Sequence, residues 1–84
     1  MSGTVAQVFA PIPGVIYRRP SPDKPVFANE GDMVAVGDTI ALVEVMKSFY
    51  PVTTEVAGKV VRFLVDAESE VSPGEAIAEI EVTE

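Results

Sequence analysis

The 84-residue sequence predicts a single all-β domain, a small β-sandwich or flattened two-sheet β-barrel with an internal repeat. Short Val- and Ile-rich runs alternate with turn signals, and no long segment shows the helical period of about 3.6 residues. The sequence repeats itself once, because residues 34–45 match residues 71–82 at an offset of 37. Each half is too small to bury a core alone, so we expect a pseudo-two-fold arrangement around one shared core.

The repeat preserves apolar residues, glycines and acids in the same order. The aligned pairs are Val34 and Val71, Gly37 and Gly74, Asp38 and Glu75, Ile40 and Ile77, Ala41 and Ala78, Glu44 and Glu81, and Val45 and Val82. Earlier in each half, Gly14 aligns with Gly58 at an offset of 44, which is seven residues more than 37. The additional residues fall near 19–25, where three prolines cannot donate ladder hydrogen bonds, so an ordered protruding loop is expected.

Six strands are predicted, and they cover residues 4–9, 15–18, 39–46, 49–56, 59–65 and 76–82. In the last strand, acids alternate with Ala78, Ile80 and Val82, which gives that strand one wet and one buried face. In the fifth strand, the expected buried side chains are Val61, Phe63 and Val65. Met33 is expected to fill the core. Turns at positive φ are expected at Gly31, Gly37, Gly58 and Gly74.

The composition excludes several kinds of function. No cysteine and no histidine are present, which removes thiolate chemistry, Cys-based zinc sites and the usual neutral-pH proton shuttle. The net charge of −7 argues against nucleic-acid binding, where a basic face is expected. The longest apolar run is too short to span a bilayer, and no signal peptide is evident, so we expect a cytoplasmic protein without a membrane partner.

Lys47 is the residue most indicative of function. It stands between two strand-like runs and is the only cation between Lys24 and Lys59. The adjacent Ser48 would point to the opposite face of a strand, so the two side chains do not form a Ser–Lys catalytic pair. We predict no catalytic residue and no metal site. A lone amine at a hairpin tip suits covalent attachment of a cofactor better than catalysis.

The segment Glu44-Val45-Met46-Lys47 resembles the Glu-Ala-Met-Lys-Met signature of biotin carboxyl carrier domains, in which biotin is joined to the lysine by an amide bond. Four further segments resemble other parts of this family: its first strand and bend (9–17), the thumb of multi-subunit acetyl-CoA carboxylase carriers (19–23), the Gly-x-x-Val-x-x-Gly-Asp turn (30–40) and the exit strand (57–60). The resemblance covers about residues 8–81. It implies the flattened biotinyl/lipoyl hammerhead with the modified lysine at a hairpin tip, and one domain over 1–84 with a thumb-like insertion at 19–25.

The resemblance also implies a function. Lys47 would carry covalently bound biotin, attached by a biotin protein ligase that recognises the neighbouring Glu44, Val45, Met46 and Ser48. A biotin carboxylase would charge the cofactor using ATP and bicarbonate, and a carboxyltransferase would pass the carboxyl group to an acceptor, often an acyl-CoA. The chain would then be a non-catalytic component of a biotin-dependent carboxylase of the acetyl-CoA carboxylase type.

Two alternatives remain open at the level of sequence. Lipoyl domains share the fold, but they usually have Asp before and Ala after the lysine, where this chain has Met46 and Ser48. An unmodified interaction domain that retains the fold is the second alternative. The biotin family usually has Ala at the position of Val45 and Met at that of Ser48. No long Ala/Pro-rich tether is present, so either a free small carrier or a piece of a larger one is expected.

Overall fold

The computed structural model describes residues 4–83, which form eight strands and no helix. The strands are β1 (Val5–Phe9), β2 (Gly14–Tyr17), β3 (Met33–Val34), β4 (Thr39–Val45), β5 (Ser48–Thr53), β6 (Gly58–Phe63), β7 (Glu70–Val71) and β8 (Ala76–Val82). All pairs are antiparallel, in two four-stranded sheets. Sheet A has the order β1-β8-β6-β3, and sheet B has the order β5-β4-β2-β7. Over residues 4–83 there is accordingly no helix of the length and hydropathy that a membrane span requires.

The core consists of aliphatic side chains contributed by both sheets. Its largest fully buried members are Ile16, Ile40, Val43, Val60, Ile77 and Ile80. Thr54 is the buried polar residue of the described range, and its hydroxyl donates to the carbonyl of Val56 at 2.7 Å. Burial of branched side chains between two sheets is the main stabilising term for a domain of this size. The predicted flattened two-sheet barrel is confirmed.

The pseudo-two-fold repeat is visible in the strand order. Exchanging β1 with β5, β2 with β6, β3 with β7 and β4 with β8 converts the order of sheet A into that of sheet B. Strands β4 and β8 also show the same residue-by-residue sequence of buried and half-buried positions. Each half of the chain therefore supplies two strands to each sheet, and the halves are interleaved rather than side by side.

Gly37 and Gly74 hold equivalent turns, with φ of 92° and 82°. In each turn, the acid after the glycine accepts a hydrogen bond from the backbone N–H three residues earlier, at 2.8 Å for Asp38 and 2.9 Å for Glu75. An acidic side chain that closes its own turn in this way is a common turn-stabilising feature. The matching hydrogen bonds confirm the equivalence that the sequence offset predicts.

Alanine at Gly37 or Gly74 is expected to cost about 1 kcal/mol or more of unfolding free energy. No atom lies within 4 Å of the added Cβ at either position, so the cost arises from the left-handed backbone and not from crowding. Denaturant unfolding midpoints measure the change, and Ser72→Ala, in the same turn as Gly74, is the control. Midpoints that stay at the wild-type value in both glycine variants would contradict the expectation.

Two short strands were not predicted, and they explain why the prediction for Met33 is wrong. Strand β3 contains two residues, and its register pairs Met33 with Lys59 and Val34 with Gly58. Val34 therefore points into the core, whereas the Met33 side chain lies on the outer surface and is 63% exposed. Strand β7 is the equivalent two-residue strand, and Val71 is its buried member. Two residues are too few to show an alternating pattern in sequence.

The prediction for the buried face of the fifth strand, β6, is wrong in part. Val60 is buried, and Val61, which was expected in the core, is only half-buried. The register with β8 shifts by one residue between Val60 and Arg62, and such a bulge reverses the alternation beyond it. Phe63 and Val65 pack against the core as predicted.

The prediction for Gly58 is also wrong, because this residue lies in β6 and not in a turn at positive φ. It is buried, and an added Cβ would overlap the carbonyl oxygen of Glu81 on the neighbouring strand. Close approach of two strands explains this glycine, and backbone conformation explains the other three.

Candidate functional site

Strands β4 and β5 form a hairpin closed by the two-residue turn Met46-Lys47. Both residues have positive φ, 52° and 71°, as in a type I′ turn. Such turns prefer Asn-Gly because side chains at positive φ are strained by about 1–3 kcal/mol each. The strain persists because the flanking ladder, from Val45 paired with Ser48 down to Val43 paired with Tyr50, fixes both ends of the turn. Two strained residues at the tip of a rigid hairpin make it a candidate functional feature.

The turn presents its side chains to solvent. Met46 is 93% exposed, and Lys47 and Ser48 are exposed as well. Within residues 4–83, the Lys47 amine forms neither a hydrogen bond nor an ion pair. Val45 packs against the core just below the tip. The predicted site residues therefore form an exposed tip above an anchored base.

The outer side of the hairpin is fixed by a residue that the sequence did not indicate. The Tyr17 hydroxyl, on β2, donates a hydrogen bond of 2.8 Å to Glu44 Oε1, three residues before Lys47. The Tyr17 ring also lies against Phe49, with ring centroids 6.0 Å apart and planes tilted by 59°. These contacts hold the Glu44 carboxylate on the sheet face. The available signal was that Tyr17 follows buried Ile16 on a strand and so faces outward.

The hydrogen bond to Glu44 is the main reason that the pKa of Tyr17 is raised above its ordinary value of 10.0, and partial burial adds to it. A raised pKa in the folded state means that this contact stabilises the fold fully below the unfolded-state value near pH 10. The contribution is lost as pH rises through the higher folded-state pKa. Around neutral pH, the phenol therefore remains a hydrogen-bond donor to Glu44.

The proline-rich segment 19–25 borders the hairpin. Together with the outer side of β2, β4 and β5 it encloses an open groove of about 470 Å³, lined by Tyr17, Arg19, Pro20, Ser21, Pro22, Glu44, Phe49 and Glu68. The segment has hydrogen bonds of its own, from Ser21 Oγ to Asp23 Oδ1 at 2.7 Å and from the Lys24 N–H to the Ser21 carbonyl at 3.1 Å. It is therefore an ordered loop that lies beside Glu44 and Phe49.

Arg18 fixes the base of this loop. One of its Nη atoms donates to the carbonyl of Ala28 at 3.3 Å, and its guanidinium lies 3.9 Å from the centre of the Phe63 ring. The backbone N–H of Phe27 donates to the carbonyl of Arg18 at 2.8 Å, so the two ends of the loop meet. A loop whose ends are hydrogen-bonded can vary in length without disturbing the sheets.

Comparison with known proteins identifies relatives of this chain. The family model described as "Biotin-requiring enzyme" matches residues 6–80. Biotin carboxyl carrier proteins of acetyl-CoA carboxylase are similar in sequence. The protein from a Nostoc species is 36% identical over 61 residues, covering 73% of this chain and 34% of that protein. The protein from Streptococcus pyogenes is 36% identical over 73 residues, covering 87% of this chain and 44% of that protein.

Solved structures agree with the fold. The urea carboxylase of Kluyveromyces lactis superposes with a TM-score of 0.76 and 26% identity, over 95% of this chain and 6% of that one. An aspartoacylase family protein from Mesorhizobium loti has a TM-score of 0.65 over 93% of this chain and 24% of that one, and at 19% identity this likeness shows the fold alone.

The chain spans about a third to a half of the length of the curated relatives it matches. The family match over residues 6–80 covers most of the sequence and all of the Lys47 hairpin. The chain therefore belongs to the biotin/lipoyl domain family of biotin-requiring enzymes.

Proposed function

We propose that this chain is a biotin carboxyl carrier domain and that Lys47 bears the biotin. The observation that carries the proposal is the exposed Lys47 amine, without an ion-pair partner in the described range, at the tip of a strained two-residue turn. Amide formation requires a primary amine that a ligase can reach, and this tip is narrow enough for an enzyme to enclose without unfolding a strand. The relatives named as carriers of acetyl-CoA carboxylase support biotin as the attached group.

When bound, biotin supplies a carrier for a carboxyl group. The chain's own residues would provide position and not chemistry. The paired strands β4 and β5 hold the attachment point rigid, and the Tyr17 hydrogen bond keeps Glu44 on the sheet face. Presenting a tethered group in this way raises its effective concentration at each partner's active site. We assign no catalytic role to the chain itself.

The proposed partners are a biotin protein ligase, a biotin carboxylase and a carboxyltransferase, and the proposed location is the cytoplasm. The test is to co-express the chain with a bacterial biotin protein ligase and to measure its intact mass. The expected product carries one biotin per chain and serves as a substrate for the biotin carboxylase of the same organism. A lipoyl adduct, formed with a lipoate ligase instead, or a chain left unmodified by both ligases, would overturn the proposal.

Ser48 is expected to limit the rate at which the ligase acts. It is exposed at the start of β5, beside the target amine, where the biotin signature that this segment resembles has Met. Ser48→Met adds apolar surface that a ligase can cover, and a gain of about 1 kcal/mol corresponds to a roughly fivefold faster initial biotinylation. Ser48→Ala is the control without the added length. Equal or slower initial rates for Ser48→Met would show that this residue does not limit recognition.

We also propose that residues 19–25 act as a thumb over the Lys47 hairpin. The groove between this loop and the side chains of Tyr17, Glu44 and Phe49 is where the attached group would be held between transfers. Its apolar prolines and aromatic rings suit a ring-shaped group, and its proximity to the hairpin supports the assignment. The prolines also limit the loop's conformational entropy, so little ordering is needed when the group enters.

Deletion of residues 19–25 is expected to preserve the fold but to alter carboxyl transfer. The hydrogen bond between Arg18 and Phe27 already closes the loop at its base, so the shortened connection fits the existing strand ends. Thermal unfolding and turnover with the partner enzymes measure the two effects. Replacing Lys24 by Ala, which keeps the loop length and the loop's hydrogen bonds, is the control. Loss of the folded state would make the segment structural, and unchanged turnover would make it a passive loop.

A further inference from the structure

The two sheets differ in how their outer faces are charged, although the halves of the chain are equivalent. On sheet A, the register places Lys59 beside Glu81 and Arg62 beside Glu79. The second pair forms an ion pair of 2.9 Å between Nε and Oε1, and Gln7 Nε2 also approaches Glu79 at 3.5 Å. Each acid on this face is thus opposite a cation of the neighbouring strand, which stabilises a sheet surface.

The equivalent positions on sheet B are occupied by uncharged residues. Val15 takes the place of Lys59, and it separates two acids, Glu44 and Glu70, with which it is paired. Tyr17 takes the structural place of Arg62, because the register pairs it with Leu42. The two acids therefore flank an uncharged residue, and no Lys or Arg of the same rows offsets them. Glu44 on β4 and Glu70 on β7 are separated by β2, and neither is directly opposite a Lys or Arg.

The rest of this face is apolar and accessible. Phe49 is 54% exposed and pairs with Glu44 across β4 and β5. Pro51 is also exposed, and it pairs with Leu42 across the same two strands. An exposed aromatic side chain with neighbouring aliphatic side chains and acids has the mixed composition of a protein interface. We define the outer face of sheet B by Val15, Leu42, Glu44, Phe49, Pro51 and Glu70.

This face is continuous with the Lys47 hairpin, because β4 and β5 contribute to both. A partner that lies on the outer face of sheet B would therefore have the lysine tip at the edge of the contact. Sheet A offers no such continuity, since the hairpin does not belong to it. Exposed apolar side chains also occur on sheet A, at Val5, Phe9 and Met33, so it is the charge and the position of the lysine that distinguish sheet B.

We propose that the outer face of sheet B is the docking surface of the carrier for the biotin carboxylase, and that the contacting surface of that enzyme is rich in Lys and Arg. This inference rests on the proposed function. The enzyme binds ATP and bicarbonate, both anions, so cations are expected around the opening of its active site. A carrier face on which Glu44 and Glu70 have no ion-pair partner among the described residues complements such a surface and guides the encounter.

The experiment compares substitutions at equivalent positions on the two faces. Glu70 and Met33 are equivalent under the repeat, and both are exposed. Glu70→Gln and Met33→Lys each raise the net charge by one unit, and they do so on the outer faces of different sheets. Glu70→Lys extends the series. All variants are loaded completely with biotin, with loading verified by intact mass, before kinetics with the purified biotin carboxylase of the same organism are measured.

The expected result is a rise in KM for the loaded carrier of about threefold with Glu70→Gln and about tenfold with Glu70→Lys, with kcat unchanged. Met33→Lys is expected to leave both constants at the wild-type value. Raising the salt concentration should weaken wild-type binding more than that of Glu70→Lys. An unchanged KM in both Glu70 variants would overturn the inference, and so would an equal rise with Met33→Lys. Failure of loading, or rejection of the loaded wild-type carrier, would count against the proposed function instead.

Discussion

Lys47→Arg is expected to abolish attachment of biotin while leaving the domain folded. Arginine keeps the positive charge and most of the length of the side chain. Its guanidinium, however, stays protonated at every accessible pH and does not form the amide. Lys47 is exposed and forms no hydrogen bond or ion pair with residues 4–83, so the substitution removes no contact of the folded state. The unfolding midpoint should therefore match that of the wild type.

Streptavidin detection and intact mass after co-expression with a biotin protein ligase measure this loss. The matched control is Lys59→Arg. Lys59 is exposed on the outer face of sheet A, whereas the hairpin belongs to sheet B. It is expected to be biotinylated as fully as the wild type. Streptavidin binding to the Lys47→Arg protein would show that another amine is modified and that the assignment of Lys47 is wrong.

The largest loss of stability is expected from alanine at Gly14 or Gly58. These glycines are equivalent under the repeat, at an offset of 44 residues. The backbone of a neighbouring strand lies directly against the position that a Cβ would take at each of them. A Cβ at Gly14 would overlap the carbonyl oxygen of Glu44, and one at Gly58 would overlap that of Glu81. Backbone atoms cannot move aside as a flexible side chain can. We expect about 2–3 kcal/mol of destabilisation in each case, and a fall in Tm of about 10 °C or more.

The two glycine variants should differ in function. Gly14 packs against β4, the strand that ends at the Met46-Lys47 turn, whereas Gly58 packs against β8. Displacement of β4 would disturb the turn, so Gly14→Ala should also slow biotinylation, and Gly58→Ala should not. Initial rates are compared at a temperature where both variants are folded by circular dichroism. Gly31→Ala is the control for destabilisation without overlap, because its Cβ has open space but its backbone is left-handed, with φ of 96°. Equal rates for the Gly14 and Gly58 variants would show that β4 tolerates the shift.

The repeat made the long strands and their symmetry predictable, because matching glycines and acids recur at fixed offsets. It did not reveal β3 and β7, since two-residue strands form through the pairing of distant segments and not through a local pattern. Met33 and Val61 were placed on the wrong side for related reasons. The exposure of Met33 depends on its pairing with Lys59, and that of Val61 depends on a register shift against β8. Neither pairing is encoded in neighbouring residues.

The candidate site likewise combines features that are encoded locally in the sequence with features that depend on long-range pairing. The position of Lys47 and its neighbours at a hairpin tip was predictable because these residues are contiguous in sequence and stand between two strands. Tyr17 was not, because its contact with Glu44 spans 27 residues and depends on the register of β2 against β4. The groove likewise depends on the loop 19–25 meeting β4 and β5. Contacts between elements that are distant in sequence were the part that only the three-dimensional structure supplied.

The interleaving of the two halves has a consequence for the order of events in the cell. Because each sheet contains two strands from each half, sheet B is complete only when β7 is in place and sheet A only when β8, the last strand, is in place. An isolated β4–β5 hairpin is only marginally stable, so the strained Met46-Lys47 turn becomes persistent only when the whole barrel has formed. Folding of such non-local β topologies takes milliseconds to seconds. On the proposed function, a ligase that recognises this turn would act after folding, and modification of Lys47 would report that a chain has reached its native state.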